Sequence, residues 1–374
     1  MDLFQSSDNI YVSENTTKMK HKILLIIVIL FSNTATVVFA QDPVFSLPYM
    51  SPVYLNPAAT GSGDHDLRVS GIIRRQWWTI PSRFTYSVFS IDKFLPSLQS
   101  GIGLMVTHSS EGYIKKTGIY ASYAYTFCPG VPSAASNGNQ PKWFLTGAMQ
   151  FGGAQRRVNY NDLLFADQIN AGGIITGSES AADVPVYNGR WYPDISSGLF
   201  FNLRFKYNSR ILIGISSKHI NRPDESLTAT NTKDRSLVPV LWSANLLYTN
   251  SNNENWTYSI AANLSKQQKN HLLQAGIEVT QNDLDISFGA WYRGGSPLKD
   301  PDAFTLSLTF NLSGRNNQNS KIKVGISHDS NIGNKKYSHN GGSSEFAFVW
   351  DQDTYTTNGD NPCKPEISSW ICPK

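Results

Sequence analysis

Residues 303–312 read AFTLSLTFNL. Phe304, Leu306, Leu308, Phe310 and Leu312 fall at one parity, and Ala303, Thr305, Ser307, Thr309 and Asn311 at the other. Strict period-two alternation is the mark of a strand whose two faces meet different surroundings, because successive side chains point to opposite sides. The polar face here carries hydroxyls and an amide but no charge. That combination suits a strand with lipid on one side and a wet interior on the other.

The same pattern recurs along the chain. Trp256, Tyr258, Ile260, Ala262 and Leu264 oppose Thr257, Ser259, Ala261 and Asn263. Leu284, Ile286, Phe288 and Ala290 oppose Asp285, Ser287 and Gly289, and Leu199, Phe201, Leu203 and Phe205 oppose Asn202, Arg204 and Lys206. Alternation predicts strands at 67–75, 84–92, 100–108, 117–127, 142–152, 195–206, 210–218, 239–249, 255–264, 271–280, 283–292, 303–311, 321–328 and 343–350. The prediction is a single antiparallel transmembrane β-barrel of about 14 strands, an even number of segments near the ~9–11 residues of a tilted spanning strand. Short turns such as 207–209 and 281–282 fall at one end, and the long connections 153–194 and 219–238 at the other, as such barrels arrange them. The connection 129–141 is the exception, long on the short-turn side.

A soluble β-sandwich alternates too. Two features favour lipid. Charged residues make up only 16% of the chain while aromatics reach 12%, the reverse of a solvated sheet surface. Trp77, Trp78, Trp143, Trp191, Trp242, Trp256, Trp291 and Trp350 cluster near predicted strand ends, as in the girdles at membrane–water interfaces. A net charge of +4 is too small and too scattered for nucleic acid.

Residues 1–40 form an N-terminal extension and a secretory signal peptide. Lys18, Lys20, His21 and Lys22 precede the apolar run 23–31, and Ala40 precedes the predicted cleavage before Gln41. Met19 is an alternative start. Residues 41–66 are a proline-rich, plug-like segment placed at the periplasmic end, 67–350 the barrel and 351–374 a periplasmic tail. Pro43, Pro48, Pro52 and Pro57 are expected to keep the segment extended and outside any sheet. Its predicted contacts with the lumen mouth are Phe45, Tyr49, Leu55 and Pro57. Cys363 and Cys372 in the tail are candidates for a disulfide; no His stands near them at metal-ligand spacing.

No HExxH, GxSxG or glycine-rich phosphate loop occurs, and no cofactor is expected. Ser327, His328, Asp329 and Ser330 are neighbours in sequence, but adjacent strand residues point to opposite faces, so the run does not make a triad. The reading is non-enzymatic. Arg68, Arg204, Lys206, Glu278, Asp285, Lys321, Lys323 and Glu345 are the predicted lumen charges.

QDPVFS and YLNPAATG, near the start of the predicted mature chain, resemble the PorP/SprF family of Bacteroidetes. RRQWW (74–78), FTYSVFSID (84–92), SGIGLMV (100–106), SYAYTF (122–127) and LLFADQ (163–168) match in kind and order. So do PDISSGLFF (193–201), WYRGG (291–295), GISHDSNIG (325–333) and SSEF (343–346). The resemblance covers most of 41–350 and fades over residues 1–18 and in the tail. It implies an outer-membrane barrel of the type IX secretion and gliding machinery. Such a barrel would support export or surface attachment of cargo such as adhesins. Implied partners are other type IX components, the C-terminal domain of a secreted surface protein and outer-membrane lipid. The alternative reading is a small-solute porin.

Overall fold

The computed structural model describes residues 42–352, apart from 63–65, 80–83, 129–142, 207–208, 228–234, 252–254, 296–300, 313–319, 333–340 and most of 159–188. Ala40, Gln41, Cys363, Cys372, the predicted signal peptide, the connection 129–141 and the predicted tail beyond Gln352 lie outside the described residues, while Asp351 and Gln352, expected in the tail, continue the last strand.

Fourteen strands form one closed antiparallel barrel in which each strand pairs with its sequence neighbours and the first pairs with the last. They are β1 (Leu67–Gln76), β2 (Phe84–Leu95), β3 (Ser100–Glu111), β4 (Ile114–Phe127), β5 (Trp143–Val158), β6 (Trp191–Lys206) and β7 (Ser209–Lys218). The second half comprises β8 (Leu241–Asn250), β9 (Trp256–Gln267), β10 (Asn270–Gln281), β11 (Ile286–Gly294), β12 (Pro301–Asn311), β13 (Ser320–Asn331) and β14 (Ser343–Gln352). Closure leaves no unpaired sheet edge, which in hydrocarbon would cost several kcal/mol per exposed backbone group. No described helix is long and apolar enough to cross a membrane. The end carrying the longest loops, after β5 and β7, is here called the outer end.

β12 shows why the alternation is decisive. Leu306 is 60% exposed on the outside of the wall, whereas Thr305, Ser307 and Thr309 are buried inside. The outward face of β9 is likewise Trp256, Tyr258, Ile260 and Leu264, with Thr257 and Ser259 inside. Three expectations are corrected. Trp291 is not in a girdle: it points into the lumen, is buried, and donates its indole N–H to Ser307 Oγ at 3.0 Å. Asp285 is not a strand residue facing the lumen but part of the turn before β11, with a left-handed φ of 56°. The long loop is shorter than 153–194, because β5 continues to Val158 and β6 begins at Trp191. Gly152 and Gly153 interrupt the hydrophobic alternation there without interrupting the pairing.

The proline-rich segment is neither extended nor confined to the short-turn end. It threads the lumen from the outer end, at Asp42, to the opposite end at Ser62. Pro48, Pro52 and Pro57 each open a short helical turn: Pro48–Met50, Pro52–Leu55 and Pro57–Ala59. At a first helical position the fixed φ of proline suits the turn, and its missing N–H is one that has no partner anyway. Phe45, Leu47, Met50, Val53, Leu55, Ala58 and Ala59 are all buried and form one apolar cluster with wall residues such as Ile72, Val88, Phe200 and Leu247. The core of this barrel is therefore shared between its own N-terminal segment and the inward side chains of the wall.

Candidate functional site

Three tiers of polar contact hold the segment in the lumen. At the outer end Ser46 sits in a buried ionic cluster. Its N–H donates to Glu345 Oε1 at 2.6 Å, and the Leu47 N–H to Glu345 Oε2 at 2.9 Å. Ser46 Oγ donates to Asp329 at 2.6 Å and accepts from Arg74 Nη1 at 2.7 Å. Arg74 bridges Glu345 and Asp329, the latter at 2.7 Å, and Arg293 Nη1 meets the same Asp329 oxygen at 2.7 Å. Thr305 Oγ1 donates to the other Asp329 oxygen, and Gln274 Nε2 to the Ser46 carbonyl. Buried charges persist only when paired and hydrogen-bonded; here the segment completes the set.

A second outer cluster grips Asp42. His219 lies between two carboxylates, with Nε2 2.7 Å from Asp42 and Nδ1 2.8 Å from Asp194. Burial alone would lower the His219 pKa, but Asp42 and then Asp194 outweigh it and push it up to about 9. Burial likewise works against the Asp42 carboxylate, yet His219 holds it well below the usual carboxylate range. Lys218 places its ammonium 3.5 Å from the Tyr54 ring centroid, and Tyr54 Oη donates to the Pro43 carbonyl at 2.8 Å.

The middle tier is Asn56. Its Oδ1 accepts from Ala58 N–H at 2.9 Å and its Nδ2 donates to the Ile215 carbonyl at 3.1 Å. This approach needs Gly198 on β6, where a Cβ would lie 1.9 Å from Asn56 Oδ1. At the inner end Arg68 pairs with Asp92 at 2.7 Å and donates to the carbonyls of Ser62 and Ala59. The Gly61 N–H donates to Asp92 at 2.7 Å. Gly61 has φ +72° and abuts Gly101, whose Cβ would fall 2.1 Å from the Thr60 carbonyl oxygen. The chain and wall touch backbone to backbone there.

The structure places the sequence-predicted residues as follows. Phe45 is buried edge-on to Tyr54, with centroids 5.2 Å apart, and Tyr49 tilts against Trp291 at 5.8 Å. Leu55 and Pro57 are buried within the lumen. Arg68 and Glu345 bind the segment. Glu278 and Lys323 are buried on the lumen side, Lys321 is half-buried, and the side chains of Arg204 and Lys206 lie outside the described residues. Sequence reasoning missed Ser46, Asn56, Arg74, Arg293, Asp42, Asp92, Asp194, His219 and Asp329. A usable signal existed: Arg74, Asp92, Asp194, Asp329 and Glu345 are charges at inward parity, and each lies in one of the motifs RRQWW, FTYSVFSID, PDISSG, GISHDSN and SSEF. Those scattered motifs converge on the segment or on the residues that brace it.

No curated protein matches this chain. Among solved structures, it is similar to a FadL homologue of Pseudomonas aeruginosa, with 10% identity, a TM-score of 0.41, and coverage of 82% of this chain and 94% of that one. It is also similar to the toluene transporter TodX of Pseudomonas putida, at 10%, 0.42, 84% and 98%. For the KdgM porin the figures are 7%, 0.34, 76% and 98%. Likeness at these scores carries no argument about what this protein does. The family model described as type IX secretion system membrane protein PorP/SprF matches residues 37–350. The chain, an outer-membrane β-barrel filled by its own N-terminal segment, belongs to the PorP/SprF family of type IX secretion system membrane proteins.

Proposed function

We propose that this protein is a closed, non-enzymatic barrel that supports the export or surface attachment of cargo by the type IX system, with adhesins and gliding-related proteins as the expected cargo class. Its partners on this reading are other type IX components and the C-terminal domain of a secreted surface protein. The observation that carries the reading is the lumen itself. Residues 42–62 run its full length, and the buried Glu345, Asp329 and Asp92 of the wall hydrogen-bond to them. A solute path would have to break ionic contacts at the outer end and backbone contacts at the inner one. This weighs against the small-solute porin.

Two measurements test it. The purified full chain in planar bilayers is expected to show no steady conductance, whereas a chain lacking 42–60 is expected to conduct. Deleting the gene is expected to release a specific surface protein into the medium or block its export. Steady porin-like conductance from the intact chain, with every surface protein in place after deletion, would overturn the proposal.

A further inference from the structure

A cavity of about 60 Å³ lies beside the Asp42–His219 cluster. At ~10–15 Å³ per water position it has room for about four to six non-hydrogen atoms. Phe45, Val88 and Met105 form its apolar wall, and Gln150, Ser196 and Lys218 stand at adjacent lumen-facing positions on β5, β6 and β7. Gln150 is 2% exposed, and its Nε2 has no hydrogen-bond partner. A buried donor left unmet costs about 1–3 kcal/mol, so an orphan aimed into a cavity marks a place for an acceptor.

The charges agree. The cavity's lining carries Asp42 and Asp194 against Lys116, Lys218 and His219. His219 is taken up by the two carboxylates. Lys116 faces Glu225, which Arg156 shares. Lys218 is 9% exposed and rests on the Tyr54 ring rather than on a carboxylate. The two carboxylates are thus matched by His219 and Lys218 together, and one ammonium and one amide donor look into a small space with an apolar back wall.

We infer that this cavity is a binding site for a short-chain monocarboxylate, whose carboxylate lies between Lys218 Nζ and Gln150 Nε2 and whose alkyl tail lies on Phe45, Val88 and Met105. Size sets the class: acetate, propionate and butyrate have four to six non-hydrogen atoms by their formulae. The apolar wall favours them over inorganic anions, and with Asp42 and Asp194 already held by His219 the Lys218 ammonium disfavours an amine. Phe45 and Tyr54 belong to the segment, so an occupant also holds the segment's outer half.

The test uses the full chain purified in detergent, with sodium propionate, sodium butyrate, inorganic phosphate and propylamine as probes, read by saturation-transfer NMR and titration calorimetry. Saturable binding of propionate and butyrate is expected, with none of phosphate or propylamine. Lys218→Met is expected to weaken it at least tenfold, Gln150→Leu severalfold, and Lys218→Arg to retain it. Heat-dependent gel mobility establishes that each variant is a folded barrel; if Lys218→Met does not fold, Gln150→Leu and Lys218→Arg carry the test. Absence of saturable binding, binding unchanged in the variants, or equal binding of phosphate would overturn the inference.

Discussion

Replacing Glu345 with alanine should unseat the segment without dismantling the barrel. Glu345 is buried, accepts the N–H groups of Ser46 and Leu47, and pairs with Arg74. Removing one partner of a buried ion pair costs ~3–5 kcal/mol. The wall's backbone ladder between β1 and β14 needs no side chain, so the loss falls mainly on the segment. Ser51→Cys supplies the reporter: Ser51 is 1% exposed and its Oγ has no hydrogen-bond partner, so a thiol there disturbs little. With Cys128, Cys363 and Cys372 changed to serine, a membrane-impermeant maleimide should reach the introduced thiol only when the segment opens. At about 1.4 kcal/mol per factor of ten, Glu345→Ala should speed labelling roughly a hundred- to several-thousand-fold. Glu345→Gln, which keeps one acceptor oxygen, should do less. An unchanged labelling rate in a Glu345→Ala protein that retains its heat-dependent gel mobility would refute the claim that the ionic cluster holds the segment.

Three further outcomes are expected. The Asp42–His219 contact is pH-dependent. The His219 pKa is raised to about 9 from 6.5, so its contribution is full below pH 6.5 and lost as pH rises through about 9. The depressed Asp42 contributes above its usual range and loses that only in strong acid. Thermal unfolding between pH 7 and 10 should show a loss on the order of 3 kcal/mol, and His219→Gln should flatten it. Leu306→Arg, at the middle of the outward face of β12, should destabilise the barrel in vesicles by ~2–4 kcal/mol, measured by denaturant unfolding. Gly198→Ala should expel Asn56 and speed labelling of the Ser51→Cys reporter at least tenfold, whereas Gly147→Ala, whose Cβ would meet only the Leu199 side chain at 3.4 Å, should leave it unchanged.

The wall was legible because each strand answers to one rule, lipid at one parity and a polar interior at the other. AFTLSLTFNL states that rule in ten residues. Trp291 broke the girdle reading because residue type outvoted parity: it shares its parity with Ser287 and Gly289, and glycines at 276 and 289 make room for its ring inside. The segment was harder to read. Its apolar residues revealed burial, but no local period says how far a chain runs through a cavity. The prolines pointed to extension because sequence alone does not distinguish a proline that interrupts a strand from one that opens a helical turn. The ionic clusters join residues up to 299 positions apart, so only the strand register brings Ser46, Arg74, Arg293, Asp329 and Glu345 together.

One pairing in that register has a mechanical consequence. Arg74 and Glu345 face each other directly across β1 and β14, the seam where the first and last strands of the chain close the wall. Ser46 pegs that seam from within, bonded to Glu345, Arg74 and Asp329 at once. Withdrawing the peg takes the Ser46 and Leu47 N–H donors from Glu345 and leaves Arg74 as its partner across the two strands that no covalent turn joins. Emptying the lumen therefore removes a cross-brace from that seam, the junction of the wall where a backbone ladder and side chains, with no connecting turn, hold neighbouring strands together.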